Sequence, residues 1–83
     1  MKYRSRTDII SSILESANGG LTKTRIMYKA YLSYAQLKEY LSLLIEKDLL
    51  EYVEGQAIYR TTPKGMQLLK SCEQIGEMVS VNQ

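Results

Sequence analysis

The stretch from Thr22 to Ile45 constrains this chain more than any other part of it. It reads TKTRIMYKA, then YL, then SYAQLKEYLSLLI. Thr22 caps a short helix that runs to about Ala30, with Ile26, Met27 and Ala30 facing inward. Tyr31-Leu32 is the turn. Ser33 with Gln36 has the S-x-x-Q spacing of a capping box, which starts a second helix. Leu37, Tyr40, Leu41, Leu44 and Ile45 form its buried stripe, and Ala35, Lys38, Glu39, Ser42 and Glu46 its outer face. Two helices in that relation make a helix-turn-helix, an arrangement that can place the second helix in a DNA major groove.

The flanks decide how this pair is built into a fold. Upstream, a helix is expected from about Arg6 to Ala17, capped by Ser5 or Thr7, with Asp8 in the first turn where the helix dipole favours an anion. Ile9, Ile10, Ile13, Leu14 and Ala17 make one apolar stripe, and Asn18-Gly19-Gly20 ends the helix. Leu21 is expected to pair briefly as an edge strand. Downstream of Lys47-Asp48 the hydrophobic period changes. Residues 49–53 and 57–61 are rich in β-formers and flank the short loop Glu54-Gly55-Gln56, a β-hairpin pattern. Thr62-Pro63 supplies a cap and a proline at the first helical position, and the helix they start continues to about Val79. Ser80 to Gln83 should fray.

The expected fold class is therefore mainly α with a small β-hairpin. It is a winged helix-turn-helix over residues 1–62, the hairpin serving as wing, with an added C-terminal helix over 63–83.

Charge sharpens the reading. The net charge is only +2, but residues 1–40 hold seven basic and three acidic side chains, whereas 41–83 hold four and six. Positive charge thus gathers on the helix pair, which suits a polyanionic partner. Histidine is absent, so the commonest general base and transition-metal ligand are missing. There is no glycine-rich phosphate loop, no cysteine pair and no nucleophile with a matching base; neither an enzyme nor a cofactor is expected. The single cysteine, Cys72, excludes an internal disulfide and fits a reducing compartment. The longest apolar cluster, Leu41 to Ile45, is too short to span a membrane, and the start MKYRSRTD has no signal-peptide core. A cytoplasmic, DNA-associated protein with no membrane partner and no evident small-molecule ligand is the expectation.

Candidate DNA contacts follow from chemistry and position. On the second helix of the pair, Ser33, Tyr34, Gln36, Lys38 and Ser42 are the residues a recognition helix offers to a groove. For Ser33 and Gln36, capping alone is an equally good account. Lys23, Arg25 and Lys29 on the first helix suit phosphate clamps, and Arg4 and Arg6 a short basic arm; a plain solvated face is the alternative for all of them. The wing tip has no basic residue, so either the wing stays clear of DNA or Gln56 and the Gly55 amide make its contacts, with Arg60 on the return strand to help. The seven tyrosines read best as the core aromatics of a chain without Phe or Trp, and packing is also the better reading of Tyr52 and Tyr59. In the last helix, Leu68, Cys72, Ile75 and Val79 recur at spacings of four, three and four, a heptad seam for a homodimer; Met66 and Leu69 lie beside it for packing on the chain's own domain.

The runs RSRTDIISSIL, KTRIMYKAYLSYAQLKEYLSLLIEKDLLE and YRTTPKG resemble a family of small archaeal winged-helix DNA-binding proteins, over roughly residues 3 to 75. That family includes transcription regulators and dimeric, chromatin-associated proteins. The resemblance implies a winged-helix fold, dimerisation through the C-terminal helix and binding to double-stranded DNA. A sequence-specific regulator acting as a homodimer is the leading expectation. A chromatin-type binder without sequence preference, or a winged-helix module that contacts protein, is the alternative, the latter suggested by the acidic wing tip and outward Glu39.

Overall fold

A computed structural model describes residues 5–71. The chain forms helices α1 (Arg6–Ser16), α2 (Lys23–Lys29) and α3 (Tyr34–Glu46), then strands β1 (Leu50–Val53) and β2 (Ile58–Thr61), joined by a 3-10 turn at Glu54–Gln56. A further helix, α4, occupies residues 63–71 at the end of the described residues. The architecture is mainly helical with one two-stranded antiparallel sheet. Arg4, Cys72, Ile75 and Val79 lie outside the described residues, and so does most of the expected dimer seam.

Each helix begins where its cap residue allows. The Ser5 hydroxyl accepts from the Asp8 amide while the Asp8 carboxylate accepts from the Ser5 amide, a complete capping box. Ser33 and Gln36 make the same reciprocal pair at α3. Thr22 caps α2 through the Arg25 amide. Thr62 caps α4 through the Gly65 amide, and its own hydroxyl donates to the Asp48 carbonyl, tying α4 to the end of α3.

The helix ends are equally defined. At the end of α2, the amide of Leu32 donates to the Met27 carbonyl and that of Tyr31 to the Tyr28 carbonyl. At the end of α3, Leu49 donates to Leu44 and Asp48 to Ile45. Both are Schellman closures, with Tyr31 (φ 55°) and Asp48 (φ 64°) in the left-handed position where glycine is usual. Leu32 and Leu49, the residues that follow, are buried and hold each turn shut.

The core is one cluster. Ile13, Leu14, Ile26, Leu37, Leu44 and Leu50 are its fully buried large side chains, drawn from all three helices and β1. Burying one such side chain stabilises by about 1.5–3 kcal/mol. Strand register pairs Leu50 with Thr61, Glu51 with Arg60, Tyr52 with Tyr59 and Val53 with Ile58. Leu21 exchanges two backbone hydrogen bonds with Tyr59, so the brief edge strand forms. The Thr61 hydroxyl donates to the Leu14 carbonyl at 2.6 Å and its amide donates to the Ala17 carbonyl, which fixes β2 against the last turn of α1. Gly65 is forced by contact: a Cβ there would run into the Leu49 carbonyl oxygen and the Thr61 methyl.

Two expectations about burial need correction. Ile45 belongs by spacing to the buried stripe of α3 but is 40% exposed, because it sits at the edge of the stripe beside an open cleft. Among the described tyrosines only Tyr40 is buried; Tyr28, Tyr31, Tyr34 and Tyr52 stand in solvent. Tyrosine is therefore not this chain's general core aromatic. Aliphatic side chains from α1, α2 and α3 already fill the centre. In α4, Leu69 is buried and Leu68 is partly buried against the core.

Candidate nucleic-acid interface

The outer surface of α3 divides into two stripes. At 3.6 residues per turn, Tyr34, Lys38, Leu41, Ser42 and Ile45 line up along one edge of the buried face. They form one wall of a cleft completed by Lys23 from the start of α2 and Tyr59 from β2. The ridge that points most directly away from the core is different: Ala35, Glu39, Ser42 and Glu46 are all exposed along it, and it carries two carboxylates and no cation.

Tyr34 organises the cleft. The Lys23 ammonium lies 5.4 Å from the centre of its ring and the Lys38 ammonium 5.8 Å. Each contact is a cation–π pair worth about 0.5–1 kcal/mol at an exposed site. One lysine comes from α2 and the other from α3, so the ring joins the two helices on their outer side. The cleft has a volume of about 230 Å³. That is below the roughly 300–1,000 Å³ of pockets that engulf a small molecule, and fits one chemical group of a larger partner.

The first-helix cations do not act as one set. Lys23 and Arg25 project about 160° apart around α2. Arg25 and Lys29 instead flank Tyr28 in a second, shallow cleft of about 250 Å³. Tyr28 is 70% exposed, and Tyr31 beyond it 84%.

Other candidates have structural partners. Ser33 and Gln36 are engaged in their capping box. The Arg6 guanidinium lies over the Tyr40 ring, 5.7 Å from its centre. In the wing, the Arg60 Nε donates to Glu51 Oε2 at 3.0 Å, directly across the strands. The Tyr52 and Tyr59 rings meet on the opposite face of the hairpin at 5.0 Å. Gln56 is exposed in the tip turn. Sequence reasoning named Tyr34 and Lys38 as groove candidates on one helix. It gave no sign that Lys23 would reach the same ring across the turn, nor that Tyr59 would close the cleft.

Comparison with known proteins agrees with this geometry. Residues 3–80 match the family described as winged helix-turn-helix. An uncharacterised protein of Methanocaldococcus jannaschii is 32% identical over 77 residues, covering 92% of this chain and 36% of its own length. The chain thus spans about a third of that relative. The crystal structure of Sso10a-2, a DNA-binding protein from Sulfolobus solfataricus, superimposes with a TM-score of 0.84 at 25% identity, covering 93% of this chain and 83% of that one. With the helix pair, the hairpin and the matched residues together, the chain belongs to the winged helix-turn-helix family.

Proposed function

We propose that this protein binds double-stranded DNA, without catalysis, through the surface where α2, α3 and β2 meet. The observation that carries the reading is the cleft in which Lys23 and Lys38 converge on Tyr34, beside Ser42. It lies on the outer edge of the second helix of a helix-turn-helix, where a duplex is received in proteins of this architecture. Similarity to a DNA-binding protein supports the same conclusion. The acidic ridge of Glu39 and Glu46 sets the approach: the duplex meets α3 on its wing-facing edge, where the lysines are, rather than on its outermost ridge.

The finer reading is a homodimeric transcription regulator in the cytoplasm. The winged domain of residues 1–62 does the binding, and the helix of residues 63–83 pairs two copies through Leu68, Cys72, Ile75 and Val79. The glutamate ridge and the acidic wing tip favour one competing reading, a module that docks a basic protein surface.

Titration of a labelled duplex across a salt series tests the proposal. If about six phosphates are neutralised, affinity falls roughly 10³-fold between 50 and 200 mM salt. No binding to any duplex at low salt would sink the reading and leave the protein-docking module. Selection from random duplex DNA separates the finer alternatives: one enriched motif means a regulator, and binding without a motif means a chromatin-type role. Sedimentation at micromolar concentration reads the dimer, and an Ile75→Asp variant should be monomeric.

A further inference from the structure

Lys23 and Lys38 come from different helices, yet both ammonium groups rest against one half-exposed ring. Lysine is a flexible, strongly hydrated cation that ordinarily wanders on its four-carbon stem. Both line one cleft, with Ser42 beside them and, among the described residues, no carboxylate in its lining, which makes a local positive concavity. Leu41, Ile45 and Tyr59 also line the cleft, and such low-dielectric walls strengthen the field of the two cations.

We infer that this cleft is a seat for one backbone phosphate, and that Tyr34 is its positioning residue, holding Lys23 and Lys38 in convergence from two helices. The inference rests on the DNA-binding reading and names the chemical group that the site takes. Tyr34 reads no base in this role. Its ring reduces the side-chain freedom that each lysine would otherwise lose on meeting the phosphate. Contacts of this kind fix the register of a protein on DNA without carrying sequence information.

The test compares the full chain with Tyr34→Ala, Tyr34→Phe and, as a control on the far side of α2, Tyr28→Ala. Tyr34 is 55% exposed and Tyr28 70%, so none of these changes removes core; thermal melts confirm equal stability. Duplex affinity is measured from 50 to 200 mM salt. Tyr34→Ala should lose about tenfold in affinity on every sequence, and the log–log salt slope should become shallower by about one. Tyr34→Phe keeps the ring and should stay within about twofold of the parent, as should Tyr28→Ala.

Loss in Tyr34→Phe equal to that in Tyr34→Ala would overturn the positioning role, because the hydroxyl would then be the contact. A second arm follows the Lys23 and Lys38 side-chain resonances by NMR while inorganic phosphate is added to the free protein. Both should shift together in the parent and in Tyr34→Phe, but not in Tyr34→Ala. Duplex binding whose salt slope ignores Tyr34→Ala overturns the seat and keeps the DNA reading. No duplex binding, with both lysines still shifting on phosphate, overturns the DNA reading and keeps the seat as a site for free phosphate.

Discussion

The two sides of α2 carry similar residues and different geometry. On one side, Lys23 joins Lys38 over Tyr34, in a cleft shared with α3 and β2. On the other, Arg25 and Lys29 flank Tyr28, and among the described residues no other element lines their shallow cleft. Both sides offer two cations and a tyrosine. Among the described residues only the first gathers its cations from two helices next to the wing, and the proposed site rests on that arrangement rather than on the count of positive charges.

The strongest way to break the comparison is charge reversal on each side in turn. Lys23→Glu with Lys38→Glu should lower duplex affinity about 10²–10⁴-fold, since each charge-assisted contact is worth roughly 1.5–3 kcal/mol and the second removal adds to the first. Arg25→Glu with Lys29→Glu changes net charge by the same amount, so the long-range field is matched. It should cost no more than about tenfold. Equal losses in the two double variants, measured by anisotropy at one salt concentration, would erase the distinction between the sides.

A loss of affinity must also be separated from a loss of fold. Thr61→Val removes the buried hydroxyl that donates to the Leu14 carbonyl and keeps the shape of the side chain. It should lower unfolding free energy by about 1–2 kcal/mol in denaturant titrations. Affinity per folded molecule should hold, because Thr61 lies beneath the sheet rather than in the cleft. Affinity falling with stability would mean that the lysine cleft depends on how tightly β2 is fixed to α1.

What the sequence showed about these two sides follows from which signals are local. Caps and turns were legible because they are decided within four residues: Ser33 with Gln36, Thr22 with Arg25, Thr62 before Pro63. The hairpin was legible from the change of period, and its strands formed one residue shorter at their starts than the β-rich runs. Tyr34 and Lys38 were both candidates on the second helix of the pair. The placement of Lys23 against them depends on how α2 and α3 cross, and that angle is set by Leu32 closing a left-handed turn at Tyr31, a position without the usual glycine. The exposure of Ile45 and of four tyrosines was likewise decided by tertiary packing rather than by spacing. Periodicity gives the centre of a buried face, whereas its edges depend on which neighbours arrive to cover them.

The smallest expected effect concerns the wing, the third place where a cation stood as a candidate contact. Arg60 and Glu51 face each other across the hairpin, and both side chains are nearly half in solvent. An exposed pair of this kind contributes about 0.2–1 kcal/mol. Arg60→Ala should therefore lower stability by no more than that, and Glu51→Gln by a similar amount, with the double variant showing their coupling. For binding, the pairing with Glu51 cancels the charge that Arg60 would bring to a phosphate. Arg60→Ala should leave affinity within about twofold, while Glu51→Gln frees the guanidinium and should raise affinity slightly at low salt. A larger loss on Arg60→Ala than on Tyr28→Ala would move the wing onto the Lys23 side of the comparison, as a second arm reaching the same duplex.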